Sequence, residues 1–210
     1  MKLIELFCGT GGFSRGAHSA GFDVSAAYDL DEILTSSYER NFPATVLRHR
    51  DVGGLRGAEI RDDAGGDICG LIGGPPCQGF SNIGRRDATD PRRLLLGHFF
   101  RIVEEIEPAF FVMENVLGLM HAHYRSVLTG SVQKAASTYQ ICDPIVLNAA
   151  DFGAATSRKR VFVIGLHRDF KTKFDPEILE EWKRLPATVY QAISDLADAE
   201  RLENTDDGFD

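Results

Sequence analysis

The sequence predicts an α/β fold: an open, mostly parallel β-sheet with helices on both faces. Three observations carry this. Short apolar runs alternate with stretches of helical spacing from residue 3 to residue 166. Glycine- or proline-rich segments follow two of those runs, at Cys8-Gly9-Thr10-Gly11-Gly12 and Gly73-Gly74-Pro75-Pro76, where ligands and chemistry sit in such sheets. The chain has 210 residues, 43% hydrophobic and 26% charged, which is enough for one substantial core.

Residues 3–7 read as the first strand, ending at the glycine cluster; an acid inside the run, Glu5, argues against a signal peptide. A helix over 13–20 follows, closed by Gly21 as C-cap. Residues 24–28 read as a second strand and 31–41 as a helix stopped before Pro43. Residues 53–66, rich in Gly and Asp, read as irregular. The run 68–72 is a buried strand, and 77–93 a polar loop long enough to be functional. Leu95, Phe99, Ile102, Val103 and Ile106 give helical spacing over 94–106. Pro108 introduces a strand over 110–113 that meets Glu114-Asn115-Val116. A helix over 125–137, a strand over 140–147, a turn over 151–155 and a strand over 160–166 complete the alternation. Two short amphipathic helices follow, over 178–185 and 189–196, and then an acidic tail read as disordered. There is no internal repeat.

No apolar stretch is long enough to span a bilayer. Cys8, Cys69, Cys77 and Cys142 show neither CxxC nor metal-ligand spacing, so no metal site is indicated. Free thiols in a reducing cytosol, and a cytoplasmic location, are the expectation. The net charge of −8 argues against a nucleic-acid partner, yet seven acids against one base lie in 195–210. In the remainder the bases cluster: Arg48 with Arg50, Arg85 with Arg86, Arg92 with Arg93, and Arg158-Lys159-Arg160. Each cluster reads either as solvated surface or as a phosphate contact.

The glycine cluster joins a strand to a helix, where backbone N–H groups face an anion. It suits a dinucleotide, a phosphate or the carboxylate of S-adenosylmethionine, and lacks the third glycine of the dinucleotide fingerprint. Asp29, ending the second strand, is placed either to bind ribose hydroxyls or as a loop acid. Glu114, ending another, either contacts a heterocycle or caps the strand. Arg158 and Arg160 alternate onto one face, as an anion clamp or as an exposed edge. Cys77 sits just past a strand on a loop stiffened by two prolines; a structural cysteine is the plain alternative.

Taken in order, four segments resemble the DNA (cytosine-5) methyltransferase family: Glu5-Leu6-Phe7-Cys8-Gly9-Thr10-Gly11-Gly12-Phe13; Gly73-Gly74-Pro75-Pro76-Cys77-Gln78-Gly79-Phe80-Ser81; Glu114-Asn115-Val116; and Asp151-Phe152-Gly153 followed by Ser157-Arg158-Lys159-Arg160-Val161. The middle two are the specific ones. The resemblance implies a Rossmann-like S-adenosylmethionine-dependent fold that transfers a methyl group to C5 of cytosine in double-stranded DNA. It implies Cys77 as the nucleophile at C6, Glu114 at N3, and Arg158 and Arg160 holding the base, which is flipped out of the duplex. Gln78, Ser81, Arg85, Arg86, Arg92 and Asn115 fall on the DNA and substrate side. For S-adenosylmethionine it implies Phe7 on the adenine, Gly9, Gly11 and Gly12 at the methionine end, and Asp29 on the ribose. Leu30 stands where the family often has a larger stacking residue; Asp51 and Val52 meet the adenine; Pro76 and Leu95 complete the wall. Ala155-Thr156 departs from the family's frequent Pro-Gln.

The resemblance further implies a catalytic domain over 1–170 and, over 171–210, a helical lead-in to a target recognition domain outside these residues. The expectation is a catalytic portion completed by a second polypeptide that docks on 171–196. The alternatives are an inactive or cofactor-binding remnant, and a transfer-RNA cytosine-5 methyltransferase. A nicotinamide-dependent dehydrogenase is disfavoured by the glycine spacing.

Overall fold

A computed structural model describes residues 1–76 and 94–197, and for residues 122 and 123 the backbone alone. The polar loop read over 77–93, with Cys77, Gln78, Ser81, Arg85, Arg86 and Arg92, lies outside the described residues, as does the acidic tail beyond 197. The chain divides into two compact units. One comprises Met1–Leu147 with Arg160–Pro176; the other comprises Asn148–Lys159 with Glu177–Asp210.

The strands are β1 (Lys2–Leu6), β2 (Asp23–Asp29), β3 (Val46–His49), β4 (Ile68–Gly73), β5 (Phe110–Asn115), β6 (Tyr139–Ile141), β7 (Ile145–Asn148) and β8 (Lys159–His167). They form one sheet in the order β3-β2-β1-β4-β5-β8-β6, with β7 also paired to β8. The first five run parallel, and β8 is antiparallel to both β5 and β6. Register sets the site. Leu6 pairs with Tyr28 on one side and Gly73 on the other, Asp29 with His49, and Gly73 with Met113. The carboxyl ends of five parallel strands therefore open at one level, and β1 lies where the order reverses, the usual ligand crevice of such sheets.

Alternation along the strands sends side chains to two faces. Ile4, Leu6, Ala26, Tyr28, Leu71, Phe111 and Met113 pack with helices α3 (Gly57–Ala64), α4 (Leu94–Ile106) and α5 (Ala122–Ala135). Leu3, Val24 and Ile72 pack on the other face with Phe13 and Ala17 of α1 (Gly12–Ser19). Helices on both faces are as the sequence predicts. Helix α1 ends in a Schellman turn: Gly21 has φ 81°, its N–H donates to His18, and Phe22 N–H donates to Ala17.

Several local readings change. The helix expected over 31–41 survives only as α2 (Tyr38–Asn41). Upstream, the Asp31 carboxylate accepts the Leu34 N–H at 2.9 Å, and the Thr35 hydroxyl bonds the Asp31 carbonyl and His49 Nε2, each at 2.9 Å. These local bonds compete with helix, and Leu30 and Ile33 stay exposed. Residues 53–66 are not irregular: α3 forms there. Ile60 and Ala64 supply its buried face, the Glu59 carboxylate accepts the Arg56 N–H at 3.1 Å, and Gly65 closes it at φ 60°. Strand β3 was not anticipated. The strand read over 140–147 is two, broken at 142–144, where Pro144 has no N–H to give a ladder.

The helix expected over 178–185 is instead a 3₁₀ turn, Pro176–Trp182, and the one expected over 189–196 is the short helix α6 (Val189–Ile193), capped by a reciprocal Thr188–Gln191 pair and followed by a 3₁₀ turn over Ser194–Leu196. Phe152 forms a parallel bridge with Arg184, and the Arg184 N–H donates to the Asp151 carbonyl at 2.8 Å. Among the described residues no helix is long and apolar enough to cross a membrane. No group of three His, Cys, Asp or Glu side chains there could hold a metal ion.

Candidate active site

A cleft of about 330 Å³ opens at the carboxyl ends of β1, β2, β3 and β4. The turn after β1 supplies Phe7 and Gly9. Both have left-handed backbone, at φ 59° and 51°, and Gly11 follows at 88°. For a phenylalanine that conformation costs about 1–2 kcal/mol, so its surroundings must enforce it. The Cys8 N–H donates to the Tyr28 carbonyl, and Gly11 N–H donates to the Cys8 carbonyl at 2.9 Å. A Cβ on Gly11 would lie 2.2 Å from the Phe42 ring, which only glycine avoids.

Asp29 ends β2 at the cleft. Its Oδ2 accepts the Gly9 N–H at 2.9 Å and its Oδ1 the Asp31 N–H at 3.0 Å. Each oxygen keeps a further lone pair for a hydroxyl donor. Leu30 and Leu34 line the cleft with exposed apolar side chains. Past β3 come Asp51, whose Oδ1 accepts the Gly53 N–H at 2.8 Å, and Val52, which is buried. Pro76 and Leu95 close the wall. The cofactor-side residues expected from sequence thus converge, except Gly11 and Gly12, which are not in the cleft wall. Asp31, Leu34, Arg50 and Gly74 line it without having been singled out for it. Asp31 and Leu34 were hidden in the expected helix, whereas Gly74 stood in the motif itself.

The second half of the site adjoins at Gly74. The Glu114 carboxylate lies over this glycine, 3.2 Å from where its Cβ would stand, and pairs with Arg160 Nε at 2.9 Å. Both side chains are largely buried, 22% and 23% exposed, so the pair is less screened than a surface one. Asn115 is 3% exposed; its amide donates to the Pro75 carbonyl at 3.2 Å and its Oδ1 accepts the Val116 N–H at 2.8 Å. Asn115 therefore fixes the proline segment to β5. Arg158 precedes β8 in the smaller unit, exposed, with its carbonyl accepting the Ala149 N–H at 3.0 Å.

The bases Arg48 and Arg50 are committed within the chain, to Asp63 at 2.8 Å and Glu59 at 3.0 Å. Their guanidinium groups hold both carboxyls below the usual range. Beneath the β1 turn Glu5 is buried with Ser14 and Tyr38; burial pushes its carboxyl up to about 7. Burial also pushes the Cys8 thiol up, away from a reactive thiolate. Cys8, Cys69 and Cys142 are free thiols.

A mostly parallel sheet with a cleft at its reversal point, joined to a carboxylate–guanidinium pair, defines an α/β domain built to bind a ligand at the strand ends. The chain belongs to the C-5 cytosine-specific DNA methylase family, whose model matches residues 1–208. It is 39% identical over 202 residues to the type II methyltransferase M.XorII of Xanthomonas oryzae, covering 94% of this chain and 46% of that protein. It is 36% identical over 176 residues to M.AquIA of Picosynechococcus, covering 78% of this chain and 71% of the relative. A crystal structure described as a DNA modification methyltransferase encoded within an Escherichia coli prophage superposes with a TM-score of 0.82 at 37% identity, over 92% of this chain and 54% of that one. The chain spans about half the length of the first curated relatives it matches.

Proposed function

We propose that this chain is the catalytic portion of a DNA cytosine-5 methyltransferase that takes its methyl group from S-adenosylmethionine. The observation that carries the reading is the junction at Gly74, where the cleft at the strand ends meets the Glu114–Arg160 pair. The cleft suits that cofactor chemically: apolar Phe7, Leu30, Val52, Pro76 and Leu95 for a purine, Asp51 as acceptor for its amino group, and Asp29 for ribose hydroxyls. When bound, the cofactor supplies an electrophilic methyl group to C5 of the base. Gly9, Gly11 and Gly12 are assigned to its methionine end.

The remaining chemistry belongs to the chain. The Cys77 thiolate adds to C6 of a cytosine flipped from the duplex, which makes C5 nucleophilic. Glu114, oriented by Arg160, bonds the base at N3 and draws density from C6. After methylation the C5 proton leaves, the C6–S bond breaks, and the thiolate is restored. Arg158 joins in holding the base, while Gln78, Ser81, Arg85, Arg86 and Arg92 are assigned to contacts with the DNA. Asn115 acts by anchoring the proline segment that precedes Cys77.

We assign residues 1–170 to the catalytic domain and 171–196 to the lead-in on which the target-reading portion docks, supplied by a second polypeptide. Trp182, Leu185 and Tyr190, exposed at 61%, 92% and 78%, support that docking. The test is methyl transfer from labelled S-adenosylmethionine to mixed-sequence duplex DNA and to matched RNA, with and without lysate of the source organism. Transfer to DNA that Cys77→Ala abolishes is expected, and lysate should raise it. Transfer to RNA alone, or transfer indifferent to Cys77, would overturn the reading.

A further inference from the structure

We propose that Glu5 is a positioning residue for the cofactor cleft: through Ser14 and Tyr38 its carboxyl group holds the turn of residues 7–11 in the shape that receives S-adenosylmethionine. This rests on the reading of the cleft given above. Glu5 lies on β1, two residues before Phe7 of the turn, and is 2% exposed. Its carboxylate accepts from the Ser14 hydroxyl in α1, and Ser14 shares a second hydrogen bond with the Tyr38 hydroxyl in α2. Ser14 and Tyr38 are both wholly buried. The Tyr38 ring lies 4.8 Å from that of Phe42, and Phe42 fills the space a Cβ on Gly11 would need. A continuous packed path therefore runs from β1, through α1 and α2, back to the far end of the same turn.

That turn carries three left-handed residues, and two of them, Phe7 and Gly9, line the cleft. A turn of this kind keeps its shape only when its surroundings fix it. Asp29 fixes it from the cleft side, through the Gly9 N–H. Glu5 fixes it from beneath. Among the described residues, the groups acting on Glu5 are the Ser14 hydroxyl and backbone N–H, the Tyr38 hydroxyl and, at longer range, the Asp29 carboxylate, with the neutral Cys8 thiol nearby. None is a cation, so the burial of this acid is not offset by an ion pair. A neutral side chain would cost less there near neutral pH. What the position supplies, in either protonation state, is a buried acceptor for Ser14, which a glutamine would also offer.

The test is isothermal titration of the full chain with S-adenosylmethionine, beside thermal melting of each variant. Glu5→Ala is expected to weaken binding about tenfold, or about 1.4 kcal/mol. Glu5→Gln, which still offers Ser14 an acceptor, should stay within about threefold of wild type. Ser14→Ala should weaken binding comparably, and Glu5→Ala with Ser14→Ala should be no worse than Glu5→Ala alone, since both act on one path. If Glu5→Ala does not fold, Ser14→Ala and Tyr38→Phe carry the test. Folded Glu5→Ala or Ser14→Ala that binds within twofold of wild type overturns the proposal, as do losses that multiply in the double variant. A wild-type chain that does not bind S-adenosylmethionine overturns the reading of the cleft, and this proposal with it.

Discussion

Replacing Gly11 with alanine should unfold the turn that shapes the cleft, whereas the same change one residue on should not. Gly11 sits at φ 88°, a conformation that costs an alanine about 1–2 kcal/mol. The added Cβ would also stand 2.2 Å from one Phe42 ring carbon and 3.0 Å from two others. Phe42 is buried and packed against the tilted Tyr38 ring at 4.8 Å, which leaves it little room, and overpacking of this kind costs about 1–3 kcal/mol. Together these give a loss of about 2–5 kcal/mol. Gly12 begins α1 with nothing within 4 Å of its Cβ position, so alanine there should be neutral or stabilising by up to about 1 kcal/mol. Urea unfolding followed by circular dichroism reads both, and titration with S-adenosylmethionine reads the cleft. If Gly12 meets the methionine end of the cofactor, Gly12→Ala should bind weakly despite its stability. Gly11→Ala as stable as wild type would refute the packing argument.

Other expectations follow from the same site. The Glu5 carboxyl, raised from 4.5 to about 7 chiefly by burial, makes the folded state bind a proton the unfolded state has released. Stability is therefore full below pH 4.5 and lost as pH rises through about 7; between pH 5.5 and 8 the loss is about 2 kcal/mol. Glu5→Gln should remove that slope from urea unfolding curves, and an unchanged slope would contradict it. Arg160→Ala should cost about 1 kcal/mol of stability and lower kcat more than it alters S-adenosylmethionine affinity, as seen in steady-state kinetics beside titration. Asn115→Ala frees the Pro75 carbonyl and should destabilise by about 1–3 kcal/mol in the same unfolding assay.

Much of the fold was legible because its signals are local. Helix α4 ends at Ile106, where its apolar spacing does, and Gly21 closes α1 as a helix-terminating glycine should. The cleft residues were legible because the motifs fall at strand ends, and register brings strand ends together. What was missed depends on partners distant in sequence. Helix α3 is polar by composition and is held by Glu105 on α4, which accepts the Gly57 N–H at 2.6 Å, and by Lys2 on β1, which donates to the Ala64 and Gly65 carbonyls. Strand β3 is four residues long, and only its pairing with β2 makes it a strand. The 31–41 stretch has helical spacing, but Asp31 and Thr35 divert its hydrogen bonds and leave Leu34 on the cleft. The Glu114–Arg160 pair joins diagonal neighbours on two adjacent antiparallel strands, Glu114 standing opposite Phe162 and Arg160 two residues along.

The most direct test is covalent capture. Duplex DNA containing 5-fluorocytosine blocks proton loss at C5, so a Cys77 adduct formed with S-adenosylmethionine cannot resolve. The protein, with and without lysate of the source organism, should yield a denaturant-stable protein–DNA species that requires S-adenosylmethionine and disappears in Cys77→Ala. A folded, cofactor-binding protein that yields no such species under either condition, or one that persists without Cys77, would contradict the assignment of this chain as the catalytic portion.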